Sequence, residues 1–316
     1  MAGFSLFGGY QKPGPGVSKN APQKTPVSHF FELLFRKFFE LVKLNLLFLI
    51  PVIAVSAFIY LISRFTSQAF FINLPVVLLT PFCAGLTFIT RNYAREEHAF
   101  LMSDFKDALM ANWKQFAING MVCYVLGNII VFCIQFYYTL AASQSFFYMI
   151  PFGISVAILF IFLFIQYYVP VMIVTFDLNL KQIYKNGFIF AIVGLWRNIL
   201  LTVIFGGVFF LNHFLYYMWP LPLLLINGIW LALLAFSVTS FLINFTVYPL
   251  IEKLMIKPVL EHSGESSDKG ERAEILPDKS SADTPAEEQQ SEYVFYHGKL
   301  VKKSLLNNES IFEDSE

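Results

Sequence analysis

The stretch PFCAGLTFITRNYAREEHAFLMSDF, residues 81–105, starts with apolar and small residues and ends in a dense group of charged ones. Charged side chains are costly inside the hydrocarbon core of a bilayer, so this order is typical of a helix that leaves a membrane. The whole composition agrees, because 56% of the 316 residues are hydrophobic and only 14% are charged. Soluble proteins carry about 25% charged residues. The chain is therefore predicted to be an integral membrane protein.

Six apolar segments are long enough to cross a bilayer, which takes about 20 helical residues. Pro75 and Pro81 interrupt the second segment. Membrane helices tolerate proline where neighbouring helices satisfy the freed backbone groups. The predicted fold class is all-α, a polytopic membrane helical bundle of about six transmembrane helices. The predicted spans are 41–62, 70–90, 117–142, 147–176, 199–219 and 221–251.

The basic residues fall almost entirely on one side of these spans. If all six cross, 21 of the 22 Lys and Arg residues share a side, and Arg64 is the exception. Cytoplasmic loops hold the excess of Lys and Arg in membrane proteins. We therefore expect a multi-pass protein of the plasma (cell) membrane with both termini cytoplasmic. If span 70–90 did not cross, the basic segment 91–116 would lie outside and break the pattern.

Three parts of the chain differ in composition. Residues 1–28 are rich in Gly and Pro and are predicted to be an extended cytoplasmic arm, and residues 29–258 form the membrane domain. Residues 259–316 are acidic and predicted to be mostly disordered. Within this tail, the more apolar segment 293–306 fits a small hairpin or docking strand, or simply a disordered end.

Two stretches next to spans have the pattern of amphipathic helices. In residues 105–118, apolar side chains recur with the period of a helix and charged ones occupy the other face. Residues 183–200 repeat a similar order of aromatic, basic and apolar residues before a span. Two cytoplasmic amphipathic helices are predicted, and their similarity suggests an internal duplication.

The charged cluster at the end of the opening stretch has two interpretations. A histidine beside carboxylates suggests a proton relay or metal site, but no second His or Cys lies at ligand spacing. Mixed charges at a helix junction favour a structural hinge and docking surface, with Glu96 and Glu97 facing basic groups on the 177–198 connection. We favour the second and predict no catalytic residue, metal or cofactor. The predicted docking surface is Arg91, Arg95, Glu96, Glu97, His98, Asp104, Lys181 and Lys185.

Polar residues inside the spans are uncharged. Asn119, Asn128, Gln135 and Gln166 are the candidate polar membrane positions, either lining a path for a solute or forming interhelical hydrogen bonds. Ion-coupled transporters keep ionisable groups at this depth, so their absence argues against a coupled pump. No phosphate-binding loop or basic patch is present, and nucleic acid is not an expected partner.

The chain resembles the YesL-like family of bacterial integral membrane proteins, which carry a domain of unknown function. The resemblance rests on YQKPGPGV (10–17), LFRKFFELVKLNLLFLIP (34–51), the opening stretch 81–105 and QYYVPVMIVTFDLNLKQIYKN (166–186). It implies a multi-span protein without established activity, found beside carbohydrate uptake and breakdown genes, and carries over no catalytic residue. Its landmarks here are Lys43, Leu44, Asn45, Arg91, Asn92, Glu96, Glu97, Asp104, Phe105, Phe176 and Asp177.

Two functions are compatible with these features. The preferred one is a non-enzymatic accessory or regulatory membrane protein, linked by the resemblance to carbohydrate uptake or metabolism, with a protein partner in the membrane or the cytoplasm. The alternative is a channel or facilitator for a small neutral solute. A continuous polar cavity lined by the four polar positions would favour the alternative. A dry, aromatic core would count against it.

Overall fold

The computed structural model describes residues 25–258, 293–296 and 299–302, and this part of the chain is mainly helical. The helical membrane bundle is confirmed. Residues 1–24 of the predicted arm 1–28 and the tail residues 259–292, 297–298 and 303–316 lie outside the described residues. The end of the predicted arm is corrected, because residues 26–28 are already the first turn of a helix, where Pro26 is tolerated. The helices are α1 Pro26–Arg36, α2 Phe38–Ser63, α3 Ala69–Asn73, α4 Phe82–Ala94, α5 Leu101–Ser143, α6 Met149–Thr175, α7 Leu180–Val193, α8 Leu195–Met218, α9 Pro220–Leu233 and α10 Ala235–Ile251.

Within residues 25–258, five helical segments are long and apolar enough to cross a membrane: α2, α5, α6 with the turn before it, α8, and α10 with the π-helical turn Glu252–Ile256. A sixth crossing is made if α3 and α4 count as one span. They are joined by the 3₁₀ segment Leu74–Leu79 and bend by 49° at the break. Pro81 lies at this bend, where its ring prevents a straight helix from continuing.

The helix α5 differs from the prediction. It runs unbroken for 43 residues, or about 64 Å, so the predicted amphipathic helix 105–118 is its first part. No proline occurs between Leu101 and Ser143 to end it. The second predicted amphipathic helix, 183–200, is divided at Gly194 between α7 and α8. A Cβ at Gly194 would collide with the Tyr168 hydroxyl, so close packing requires glycine there.

The sixth predicted span, 221–251, is also corrected. It is two helices, α9 and α10, separated at Leu234. With 14 residues, α9 measures about 21 Å and is too short to cross a hydrocarbon core of about 30 Å alone. A broken span must satisfy its free backbone groups within the protein, because lipid offers no hydrogen bonds.

The buried side chains form two clusters that meet along α4 and α10. One surrounds α6 and includes Tyr168, Met172 and Val247. The other joins α1, α2, α4 and the start of α5. The outer faces of α8 and α9 expose large apolar side chains, as expected for surfaces that contact lipid.

A short β-hairpin lies in the tail. Strands β1 Tyr293–Tyr296 and β2 Lys299–Lys302 pair antiparallel, with Tyr293 opposite Lys302. The strand β2 approaches α6. The described parts of the predicted segment 293–306 are therefore two paired strands, and residues 297–298 and 303–306 lie outside the described residues.

Candidate ligand site at two helix breaks

The side chain of Asn45 in α2 bridges the break between α9 and α10. Its Nδ2 donates to the carbonyls of Leu231 at 3.0 Å and Ala232 at 2.9 Å, which end α9. Its Oδ1 accepts from the backbone N–H groups of Phe236 at 2.9 Å and Ser237 at 3.1 Å, which begin α10. One buried carboxamide thus caps both helix ends, which lets the apolar segment break inside the membrane domain.

A cavity of about 510 Å³ lies among α2, α4, α6 and α10, and we call it the helix-break cavity. Residues next to both interrupted spans line it: Leu79 and Cys83 at the bend before α4, and Ala235 and Phe236 at the start of α10. Discontinuous helices commonly form binding sites in membrane proteins. The remaining lining residues are Phe48, Leu86, Thr87, Gln166, Tyr167, Pro170, Val171, Thr239, Ser240, Ile243 and Asn244.

Hydroxyl and amide side chains form a hydrogen-bonded group next to the cavity, and Ser240 and Asn244 are its members among the lining residues. Thr90 Oγ1 lies 2.7 Å from Ser240 Oγ and donates to the carbonyl of Leu86 at 2.8 Å. Asn244 Nδ2 donates to Thr90 Oγ1 at 3.0 Å and to the Ser240 carbonyl at 2.9 Å. Asn244 is 1% exposed, and its Oδ1 has no hydrogen-bond partner within the described ranges. This oxygen is itself buried, so it is an unsatisfied acceptor behind the cavity wall.

The four predicted polar membrane positions separate into two pairs. Asn119 and Gln166 come together through Tyr184, whose hydroxyl donates to Asn119 Oδ1 at 2.5 Å and accepts from Gln166 Nε2 at 3.3 Å. Asn128 and Gln135 are exposed on α5, and Asn128 Nδ2 bonds the carbonyl of Tyr124 in its own helix. Only Gln166 of the four reaches the helix-break cavity, so these residues line no common path.

Arg91 departs from its predicted place on the docking surface. It is only 1% exposed, and Nη1 donates to the Val174 carbonyl at 2.8 Å and Thr175 Oγ1 at 3.2 Å. Its Nη2 donates to Asn92 Oδ1 at 2.9 Å. Because α6 ends at Thr175, the guanidinium caps free carbonyls at the negative end of that helix. These hydrogen bonds hold the Arg91 side chain inside the helical bundle.

Glu96 and Glu97 pair with other partners than the lysines of α7. The Glu96 carboxylate accepts a hydrogen bond from the Arg36 guanidinium, and its Oε1 lies 3.5 Å from His29 Nε2. Arg36 and His29 both belong to α1. The hydrogen bond to Glu96 raises the pKa of Arg36. Glu97 Oε1 lies 2.7 Å from Arg95 Nη2. Glu96 therefore holds α1 against the link between α4 and α5, whereas the Glu97 pair lies within that link.

The backbone of Glu96 is in the left-handed region, with φ of 59°. Glycine is the usual residue in this conformation, which is common just after a helix C-terminus. Glu96 adopts this conformation at the cost of some backbone strain, and its side chain contacts α1. We call this contact, which is formed by His29, Arg36 and Glu96, the α1 clamp.

The other predicted surface residues are spread over the same end of the bundle. His98 stacks on Phe100, and Asp104 Oδ2 accepts from the Phe100 backbone N–H at 2.8 Å before α5. Lys181 and Lys185 are exposed on α7. Within the described ranges no group of three His, Cys, Asp or Glu side chains is arranged to hold a metal.

The residues that organise this site are not identifiable from the sequence alone. Asn45 stands out only as a family landmark, and no sequence pattern singles out Thr90, Ser240, His29 or Arg36. The available signal was polarity in apolar surroundings, since an Asn in a span needs a partner. The identity of that partner depends on the fold.

Residues 41–133 match the profile of a family described as "Protein of unknown function, DUF624". The match begins in α2 and ends in α5, so it includes Asn45, the bend before α4 and the Arg91 cap. No curated protein and no solved structure gives a significant match to the chain. The match supports a domain of unknown function in this part of an integral membrane protein.

Proposed function

We propose that the protein is a non-enzymatic accessory or regulatory component of the plasma membrane that binds a protein partner at its cytoplasmic end. The excess of Lys and Arg at this end of the bundle supports the proposed orientation, in which the α1 clamp and the link 95–100 face the cytoplasm. Membership of the YesL-like family and a link to carbohydrate uptake are parts of the same proposal and rest on the resemblance.

The observation that carries the proposal is an exposed row of aromatic side chains beside the α1 clamp. The inner face of α1 is packed, with Leu33 fully buried and Phe30 stacked on Phe241. Phe31 and Phe35 on α1 and Phe39 at the start of α2 are exposed, the last two by 71% and 77%. We call these three residues the aromatic row. Large exposed aromatics on a fixed element are typical of binding surfaces.

The side chains that most often act as general acids or bases are absent from the cavity lining, which supports a non-enzymatic role. No Asp, Glu, Lys, Arg or His is among the residues that line it, and Cys83 and Tyr167 are its ionisable side chains. The Tyr167 hydroxyl is hydrogen-bonded to Thr202 and the Cys83 thiol donates to the Leu79 carbonyl. The chemistry of the lining suits binding better than conversion of a ligand.

Site-specific photocrosslinking tests the partner proposal. We would replace Phe35 by p-benzoylphenylalanine in the full chain, expressed in its own membrane, and use Phe147 as the matched control. Phe147 is equally exposed, at 71%, but lies in the turn between α5 and α6. We expect a discrete protein adduct at position 35 and none at position 147. Lipid adducts alone at both positions would contradict the proposal, because an aromatic row also suits a membrane interface.

A facilitator for a small neutral solute is the second candidate, and the helix-break cavity favours it. The exposed positions of Asn128 and Gln135 count against it, because they leave the cavity without a polar continuation along α5. Swelling of proteoliposomes in isotonic glycerol measures this directly. Swelling that Thr239→Trp abolishes would support the facilitator over the accessory role.

A further inference from the structure

We infer that the helix-break cavity binds a neutral, single-chain amphiphile that carries a hydroxyl group and is taken from the bilayer. This inference stands independently of the partner proposal, because it rests on the cavity and not on the aromatic row. Four properties of the cavity carry it: its apolar lining, its volume, its polar lining residues and its depth.

The residues that line the cavity indicate a neutral ligand that is largely hydrocarbon. Phe48, Leu79, Leu86, Val171 and Ile243 supply apolar surface, and no charged side chain is among the lining residues. A charged group moved into such surroundings would lose its hydration without gaining a counter-ion. The volume of about 510 Å³ lies within the range of small-molecule sites, about 300–1,000 Å³.

The polar lining residues define the hydroxyl. Thr87, Gln166, Thr239 and Ser240 place hydroxyl and amide groups among the apolar lining. A hydroxyl group on the ligand can hydrogen-bond to these side chains. A pure hydrocarbon would cover them without offering a hydrogen bond, which costs free energy.

The depth of the cavity indicates that the ligand enters from the bilayer. Phe48 lies ten residues from the start of α2, about 15 Å along the helix. Val171 lies four residues before the end of α6, about 6 Å. These values place the cavity inside the hydrocarbon half nearest the basic end of the bundle. Thr239 is exposed, so the cavity communicates with the outside of the bundle at this depth, where lipid is the solvent.

The test uses the full chain in phosphatidylcholine nanodiscs and a fatty alcohol that carries a photoreactive diazirine. Thr239→Trp fills the exposed side of the cavity, and Val203→Trp is the matched control on the lipid-exposed face of α8. We expect adducts on the lining residues of α6 and α10, at least tenfold weaker in Thr239→Trp and unchanged in Val203→Trp. Excess dodecanol should suppress them, and dodecane should not.

Two results would overturn the inference. One is labelling spread evenly over the exposed helix faces and insensitive to Thr239→Trp, which would mean that the probe samples ordinary lipid-facing surface. The other is equal competition by dodecane, which would mean that the cavity does not select a hydroxyl. Thermal unfolding of both tryptophan variants distinguishes loss of binding from loss of fold, and a folded Thr239→Trp protein with full labelling also counts against the site.

Discussion

Asn45 is the side chain that hydrogen-bonds to the backbone of both helices at the α9–α10 break. Its carboxamide replaces backbone hydrogen bonds that the apolar environment cannot supply. The two carbonyls and two N–H groups that it satisfies belong to helices on both sides of Leu234. The geometry of the break, and with it one wall of the cavity, therefore depends on a residue about 190 positions earlier in the chain.

We predict that Asn45→Leu lowers the free energy of unfolding by about 2–4 kcal/mol, because it leaves several buried backbone groups without partners. Unfolding in detergent micelles by a titration with dodecyl sulfate measures this difference. Asn128→Leu is the control, since Asn128 is exposed and bonds only a carbonyl of its own helix. Its expected change is about 0.5 kcal/mol or less. Equal effects of the two substitutions would show that Asn45 does not hold the break.

Arg91 is the second residue whose substitution should lower the free energy of unfolding more than substitution of an exposed residue nearby. Arg91→Leu removes a charged donor from the end of α6 and is expected to cost about 2–4 kcal/mol in the same unfolding titration. Lys106→Leu removes an exposed charge from α5 and should change the value by about 0.5 kcal/mol or less. A small effect of Arg91→Leu would place its side chain at the membrane surface, as the sequence alone had suggested.

At the scale of elements, the position of α1 depends on the α1 clamp. We predict that Glu96→Gly relieves the left-handed backbone but releases α1, because Arg36 and His29 lose their shared partner. A nitroxide on Phe35→Cys should become more mobile in the electron paramagnetic resonance spectrum. Glu97→Gln is the matched control, because Glu97 pairs with Arg95 and not with α1. An immobile nitroxide in Glu96→Gly would mean that apolar packing alone holds the helix.

The contribution of Arg36 to the clamp should not depend on alkaline pH. Its pKa is raised by the hydrogen bond to Glu96, so the stabilisation is present below the unfolded pKa and is lost only as pH rises through the still higher folded value. Arginine remains charged over any range in which the membrane is stable. The same nitroxide is expected to show equal mobility at about pH 7 and about pH 9. A marked increase at about pH 9 would assign the clamp to another group.

The elements also show how far the sequence could predict this fold. Hydropathy and the placement of Lys and Arg act locally, so the helical bundle was predictable. Within the described residues, five helices are long enough to cross, and a sixth crossing requires α3 and α4 to count as one span. Nothing local marks the break at Leu234, which lies in an uninterrupted apolar run. The burial of Arg91 and the choice of Arg36 over Lys181 as a partner for Glu96 arise from contacts between distant segments. Those parts of the site required the structure.

At the scale of the whole molecule, the distribution of Lys and Arg favours an arrangement in which α3 and α4 together cross the membrane. The bent pair α3–α4 must cross for the link 95–100 to lie on the same side as α1. The α1 clamp joins these two parts directly, which agrees with a crossing. The proposed partner surface and the depth assigned to the cavity both depend on this orientation.

Cysteine labelling in intact cells tests that central claim most directly. We would place single cysteines at His98 and Phe147 after replacing Cys83, Cys123 and Cys133 by serine, and treat intact cells with a membrane-impermeant maleimide. We predict that position 147 reacts from outside, whereas position 98 reacts only after the membrane is permeabilised. Labelling of position 98 from outside intact cells would contradict the account, because α3–α4 would not cross and the proposed docking surface would not face the cytoplasm.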